Sequence, residues 1–202
     1  MIRLIFTLLT FLSFSANAHV APETGGVFTG ILHPITGVDH FMAMLLVGMF
    51  SVALGNKHTW LVPAAFMIAM VVGAFLALNG VRLILVEFAI AASVFVLGAS
   101  VYFKIRPVLW VGYLGVALFG LFHGYAHGSE IPRLMHPTLF IGGFVIGTGL
   151  IHLLGVFICL SAEKIPKLES GVRFLGAAFC GIGAYLTAEY FPLMVKLAGH
   201  YH

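Results

Sequence analysis

The stretch HPITGVDHFMAMLLVGMFSVAL, residues 33–54, joins a polar beginning to a long apolar run and indicates how the chain is built. About 20 consecutive apolar residues are enough for a helix to cross the hydrocarbon core of a bilayer. Six such runs follow one another, so the sequence predicts spans at residues 35–54, 59–79, 81–103, 107–126, 137–161 and 171–195. The runs are continuously apolar and do not alternate, which favours helices over a lipid-spanning barrel.

The composition agrees with this interpretation. The chain has 202 residues, of which 61% are hydrophobic and only 8% are charged, whereas soluble domains carry about 25% charged residues. We therefore predict an all-α, polytopic bundle of six transmembrane helices with short loops and membrane lipid as its surroundings. The net charge of +3 is ascribed to membrane topology and does not predict nucleic-acid binding.

The first 18 residues have the pattern of a secretory signal peptide. Arg3 precedes an apolar core at residues 4–14, and Ala16-Asn17-Ala18 forms a small-residue cleavage site. Cleavage after Ala18 would leave His19 as the mature N-terminus and residues 19–202 as a single transmembrane domain. The alternative is an uncleaved seventh helix, for which the apolar core is short.

The basic residues predict the orientation of the spans. A cleaved signal places His19 outside the cytoplasm, and six spans return the C-terminus to the same side. The inner loops would then hold Lys57, Lys104, Arg106, Lys164, Lys167 and Arg173, and the outer segments only Arg82, Arg133 and Lys196. This bias follows the positive-inside rule, so we expect a protein of the bacterial inner membrane with both termini in the periplasm.

The first polar cluster lies at the outer end of the first span. Pro34 suits the first position of a helix, with His33 just before it. If one helix starts there, His33 and His40 are nearly two turns apart and share a face. Asp39 lies beside His40 on the same predicted helix.

The second cluster, Phe122-His123-Gly-Tyr-Ala-His127-Gly-Ser-Glu130, ends the fourth span. Spacings of four and three place His123, His127 and Glu130 on one stripe of a helix, which Gly124 and Gly128 are expected to bend or unwind. This span runs outward, so the two clusters should meet at the same membrane face. We predict that their histidine and acidic side chains line one path.

Glu87 is a further candidate. With the third span starting near Val81, it would lie about 9 Å deep, level with His40. A carboxylate inside the membrane indicates a functional site, and the alternatives are a salt bridge to Arg82 or a protonated Glu87 that is hydrogen-bonded to a neighbour.

Three histidines are weaker candidates. His19 could chelate a metal through its ring and the new α-amine, or begin a loose tail. His136 precedes Pro137 and could simply cap a helix. His152, in the middle of the fifth span, is either a relay or a satisfied core histidine.

These residues carry a family resemblance. The pattern His33-x5-Asp39-His40, with Phe122-His123-Gly-x-Ala-His127-Gly-x-Glu130, resembles the HupE/UreJ nickel permeases over essentially the whole chain. Glu87 and Phe66 are similar to an acidic and an aromatic position of that family. The resemblance implies a permease that supplies nickel to hydrogenase or urease, with cobalt as the ion of some members.

The ligand chemistry leads to the same class of function. Imidazole and carboxylate without thiolate suit Ni²⁺ or Co²⁺, and Zn²⁺ fits the same groups. We predict a metal path formed by His33, Asp39, His40, Glu87, His123, His127 and Glu130, with no resident cofactor and no catalytic residue. The sequence has no nucleotide-binding motif, so the protein is expected to be a permease and not an enzyme.

Other functions use the same residues. A membrane metal sensor or metal-binding protein needs the ligands without transport. An intramembrane hydrolase would use Glu130 as the base beside a histidine-bound zinc. A haem-carrying cytochrome subunit fits less well, because His123 and His127 share one helix face whereas haem takes histidines from opposite sides.

Overall fold

A computed structural model of the protein describes residues 26–131 and 136–199, and their side chains as far as residue 192. The predicted signal peptide, His19 and Arg133 lie outside these residues. The described residues form helices and no strand, which confirms the all-helical prediction. The helices are α1 (Gly26–Thr36), α2 (Val38–Leu54), α3 (His58–Leu78), α4 (Val86–Phe103), α5 (Leu109–Glu130), α6 (Pro137–Lys164) and α7 (Pro166–Gly199).

The helices α3 to α7 are each long and apolar enough to cross a membrane. The helices α1 and α2 pass the same test only together, and they meet at a bend of 86°. The described part of the chain therefore has five such spans, or six when the bent pair counts as one. The six predicted runs all correspond to helices.

The first span differs from its prediction. The helix does not begin at Pro34: α1 already begins at Gly26 and contains His33 and Pro34, and the break comes at Gly37, whose backbone is extended (φ −87°, ψ 111°). Glycine and proline are the residues that continue a helix least well, which explains a break here. The argument that His33 and His40 share one helix face was therefore wrong.

The start of α4 is the second difference. Residues 81–85 are not helical, and Leu85 has a left-handed backbone (φ 62°) directly before the helix. Tyr125 of α5 holds this segment: its hydroxyl donates to the Val81 carbonyl (2.8 Å) and accepts from the Leu83 N–H (3.1 Å). Glu87 consequently lies in the first turn of α4, and the helix start at Val81, from which its depth was inferred, was wrong.

The core is built around α2, which is almost completely buried from Met42 to Val52. Around it, α3 packs closely on α5, α4 on α7, and α1 on α6. A Cβ on Gly124 of α5 would overlap the Met70 carbonyl of α3, and one on Gly30 of α1 would overlap the Phe140 carbonyl of α6. Small residues thus let neighbouring backbones approach, as is common in membrane bundles.

The fourth predicted span is longer and more regular than expected. The helix α5 continues without interruption through Gly124 and Gly128 to Glu130, so these glycines do not unwind it. They serve the contact with α3, where a Cβ on Gly128 would lie 2.7 Å from the Ala74 Cα. The regular helix keeps the predicted stripe of His123, His127 and Glu130 intact.

Candidate metal centre

Three helix ends meet at one end of the bundle, which we call the histidine end. It is formed by the C-terminal turn of α1, the first turn of α2 and the last two turns of α5, which carry the two sequence clusters. The other end of the bundle contains the ion pair between Lys104 of α4 and Glu169 of α7. The two clusters therefore lie on the same side of the protein.

His33, His127 and Glu130 form the tightest group. Their ligand atoms all lie within 4.8 Å of one another. His33 Nε2 is 3.4 Å from Glu130 Oε2, and His127 Nδ1 is 3.7 Å from the same oxygen. Two imidazoles and a carboxylate at this spacing are a suitable ligand set for a divalent transition metal.

His40 and His123 extend this group into the bundle. The His40 ring centroid is 4.3 Å from that of His127 and 5.1 Å from that of His123. His127 is therefore flanked by His33 from α1 and His40 from α2. The bend at Gly37 lets the chain turn around His127, so the two rings converge although they do not lie on one helix.

Hydrogen bonds orient two of these imidazoles. His40 Nδ1 is 2.8 Å from Asp39 Oδ1, and His123 Nδ1 is 2.9 Å from the Phe119 carbonyl oxygen. Both oxygens can only accept, so in neutral rings Nδ1 carries the proton and donates it. The Nε2 lone pair of each ring is then free for a metal, an arrangement typical of metal-binding histidines. Asp39 contacts His40 and is not part of the tight group.

The burial of these side chains increases from the surface of the histidine end, which we call the rim, towards the interior of the bundle. The Glu130 side chain is 57% exposed and that of His33 29%, whereas His127 is 4% and His123 0% exposed. His40 Nε2, His123 Nε2 and both ring nitrogens of His127 are buried without a hydrogen-bond partner among the described residues. Buried polar atoms are normally paired, and a neutral imidazole keeps one lone pair, so the lone pair of each of these three rings fits a cation as its partner.

Glu87 and His136 lie outside the tight group. Glu87 is close enough to interact electrostatically with His40, Asp39 and Glu130, but it forms no salt bridge with any described residue, Arg82 included. The His136 carbonyl accepts the N–H groups of Leu139 and Phe140 at the start of α6. The position of His136 is thus that of a helix cap.

Two phenylalanines of α6 form an apolar wall that the sequence analysis missed. The Phe144 ring centroid is 4.1 Å from that of His127, and Phe140 is 5.3 Å from His33. Their spacing of four residues on one helix face was a visible signal, but nothing in the sequence showed which helix they would face. An apolar wall lowers the local dielectric and strengthens the interactions of a bound cation.

Comparison with known proteins shows a family and a relative to which this chain is similar. The family model described as HupE / UreJ protein matches residues 7–186. Protein HupE from Rhizobium leguminosarum bv. viciae is 40% identical over 172 residues, which cover 85% of this chain and 89% of that protein. No solved structure matches the chain.

Proposed function

The chain belongs to the HupE/UreJ family, and from this premise we propose that it is a secondary permease that imports a divalent transition metal. The family is associated with nickel and cobalt transport, so Ni²⁺ is the first candidate ion and Co²⁺ the second. Zn²⁺ suits the same nitrogen and oxygen ligands. The metal is cargo and not a cofactor.

The grouping of His33, His127 and Glu130 carries this proposal. Its carboxylate is exposed at the rim, and the imidazoles continue inward through His40 and His123. A transport site must bind its ion and also release it. We therefore propose that the ion uses the ligands in succession, beginning at Glu130 and His33, and that the seven candidates never all bind at once.

The distribution of charge supports import. Among the described residues, most lysines and arginines lie at the end of the bundle opposite the histidine end, and the positive-inside rule predicts that such an end faces the cytoplasm. The histidine end would then face the periplasm of a bacterial inner membrane. A membrane potential is worth about 2.3 kcal/mol per charge per 100 mV. At 100 mV a divalent ion therefore gains roughly 4.6 kcal/mol on entry. This is enough for a ratio of the inner to the outer metal concentration on the order of a thousandfold.

Sealed proteoliposomes with an imposed inside-negative potential test the proposal. We expect potential-dependent uptake of Ni²⁺, Co²⁺ or Zn²⁺, measured in parallel, and its loss in His127→Ala. The absence of such uptake for all three ions, in folded and correctly oriented protein, would refute self-sufficient transport. Metal binding without flux would favour the metal sensor or binding protein.

A further inference from the structure

His152 of α6 is a buried histidine that the metal centre does not include. Only 1% of the residue is exposed, and neither ring nitrogen has a hydrogen-bond partner among the described residues. A satisfied core histidine, one of the two interpretations of the sequence, would have such a partner. Its neutral ring keeps one free lone pair, which is the form that binds a metal.

Phe66 of α3 connects His152 with the metal centre. The Phe66 ring centroid lies 5.5 Å from that of His123 and 5.1 Å from that of His152. Phe66 is itself completely buried. A rotation of this single side chain therefore changes the contact between the deepest imidazole of the metal centre and His152.

The depth of His152 places it between the two ends of the bundle. A Cβ on Gly48 of α2 would overlap the His152 carbonyl, so the two residues are at one level. Gly48 follows His40 by eight residues, or about 12 Å of helix, and Cys159 follows His152 by seven residues, or about 10 Å. His152 is thus roughly halfway along the bundle between His40 and Cys159.

Cys159 lines a cavity of about 210 Å³ at the end opposite the histidines. The cavity is also lined by the ion pair of Lys104 and Glu169 and by the side chains of Arg106, Arg173 and Glu163. The carboxylate of Glu163 belongs to no salt bridge among the described residues, so it is available where an ion would leave the bundle. Met49 of α2, one residue beyond Gly48, reaches the cavity wall as well. The cavity therefore begins close to the level of His152.

The surroundings of His152 offer further weak ligands. Thr148 lies one turn before His152 on α6 and is completely buried. Its hydroxyl donates to the sulfur of Met44 at 3.4 Å, and the sulfur of Met70 is 3.7 Å away. Hydroxyl and thioether groups bind hard and intermediate cations weakly, which suits a position from which an ion must leave quickly.

We propose that His152 is a second metal-binding position in the middle of the membrane. The divalent ion passes to it from His123 when the Phe66 side chain rotates, and then leaves towards the cavity lined by Cys159 and Glu163. This inference rests on the proposed function and deepens it, because it assigns an inner step to the same transport path.

The first test measures Ni²⁺ uptake by full-length protein in proteoliposomes with an inside-negative potential. In His152→Leu and His152→Gln we expect the maximal rate to fall at least about tenfold, while the half-saturating Ni²⁺ concentration changes less than about twofold. The half-saturating concentration should change little because His33, His127 and Glu130, which bind the entering ion in the proposed function, are unchanged in both variants. His58→Ala is the matched control, since His58 bonds Tyr113 at the opposite end (2.9 Å), and it should transport at the wild-type rate.

The second test separates metal binding from packing. The side chains introduced by His152→Cys and His152→Ser have similar volumes, but only the cysteine thiolate is a strong metal ligand. Added Co²⁺ should give the cysteine variant a thiolate-to-cobalt absorption that exceeds that of the serine variant. The native Cys159 and Cys180 are present in both proteins and cancel in the comparison.

The outcomes keep the two proposals apart. No uptake by the wild-type protein refutes the proposed function itself. Wild-type uptake with unchanged rates in the leucine and glutamine variants, and equal cobalt spectra for the cysteine and serine variants, overturns the role of His152 alone. If the leucine and glutamine variants do not insert into membranes, the cysteine and serine pair decides.

Discussion

The imidazoles of His33 and His127 lie edge to face with ring centroids 4.7 Å apart. His33 belongs to α1, near its end at Thr36, and His127 belongs to the last turn of α5. Two residues from distant parts of the chain thus share one carboxylate, that of Glu130. This contact joins the two sequence clusters.

Removing an imidazole from the centre should stop transport without unfolding the protein. In His40→Ala or His127→Ala we expect metal accumulation in cells to fall to the background, because a ligand is lost while the apolar core keeps its packing. The measurement is uptake at limiting Ni²⁺, normalised to the amount of protein in the membrane. His58→Ala controls for the loss of a histidine elsewhere, and wild-type accumulation in both variants would contradict the assignment.

Asp39 is expected to act through His40. Its carboxylate accepts from His40 Nδ1 at 2.8 Å and from the His40 backbone N–H at 2.9 Å. Loss of such an orienting partner typically weakens metal binding by about 10- to 100-fold. We expect a loss of this size in Asp39→Asn, which keeps the volume, and a titration of purified protein with Ni²⁺ measures it. Unchanged affinity would show that the carboxylate does not orient the ring.

The break at Gly37 gives a prediction about ring position. A Cβ at residue 37 would lie 3.1 Å from His40 Nδ1, so Gly37→Ala should push the imidazole away from Asp39. We expect weaker Ni²⁺ binding with an unchanged thermal unfolding midpoint. Gly142→Ala is the matched control, because a Cβ there meets nothing within 4 Å. Equal Ni²⁺ affinity of the two variants would contradict the prediction.

The contact between α3 and α5 should be sensitive to one methyl group. A Cβ on Gly124 would overlap the Met70 carbonyl, whereas one on Gly115, in the same helix, meets nothing within 4 Å. Overpacking of a tight core typically costs about 1–3 kcal/mol. We expect Gly124→Ala to lower the thermal unfolding midpoint in detergent and Gly115→Ala to leave it in place. The reverse order would mean that α3 and α5 are not closely packed.

The sequence by itself determined the class of the fold and the candidate ligands. Apolar runs of membrane length are local features, so the six helical segments could be predicted, and their boundaries were off by only a few residues at most ends. The stripe of His123, His127 and Glu130 was also predictable, because a helix fixes the directions of its own side chains. The role of these residues as metal ligands stays a prediction.

Only the tertiary structure decided how the two clusters meet. The helix α1, which ends at the bend, packs on α6 where Gly30 lies against Phe140, and the Tyr125 hydroxyl of α5 holds Val81 in the non-helical segment before Val86. Whether His152 has a partner likewise depends on side chains of other helices. A pattern along one segment carries no information about such contacts, because the free energy that selects them comes from packing between helices that are distant in the chain.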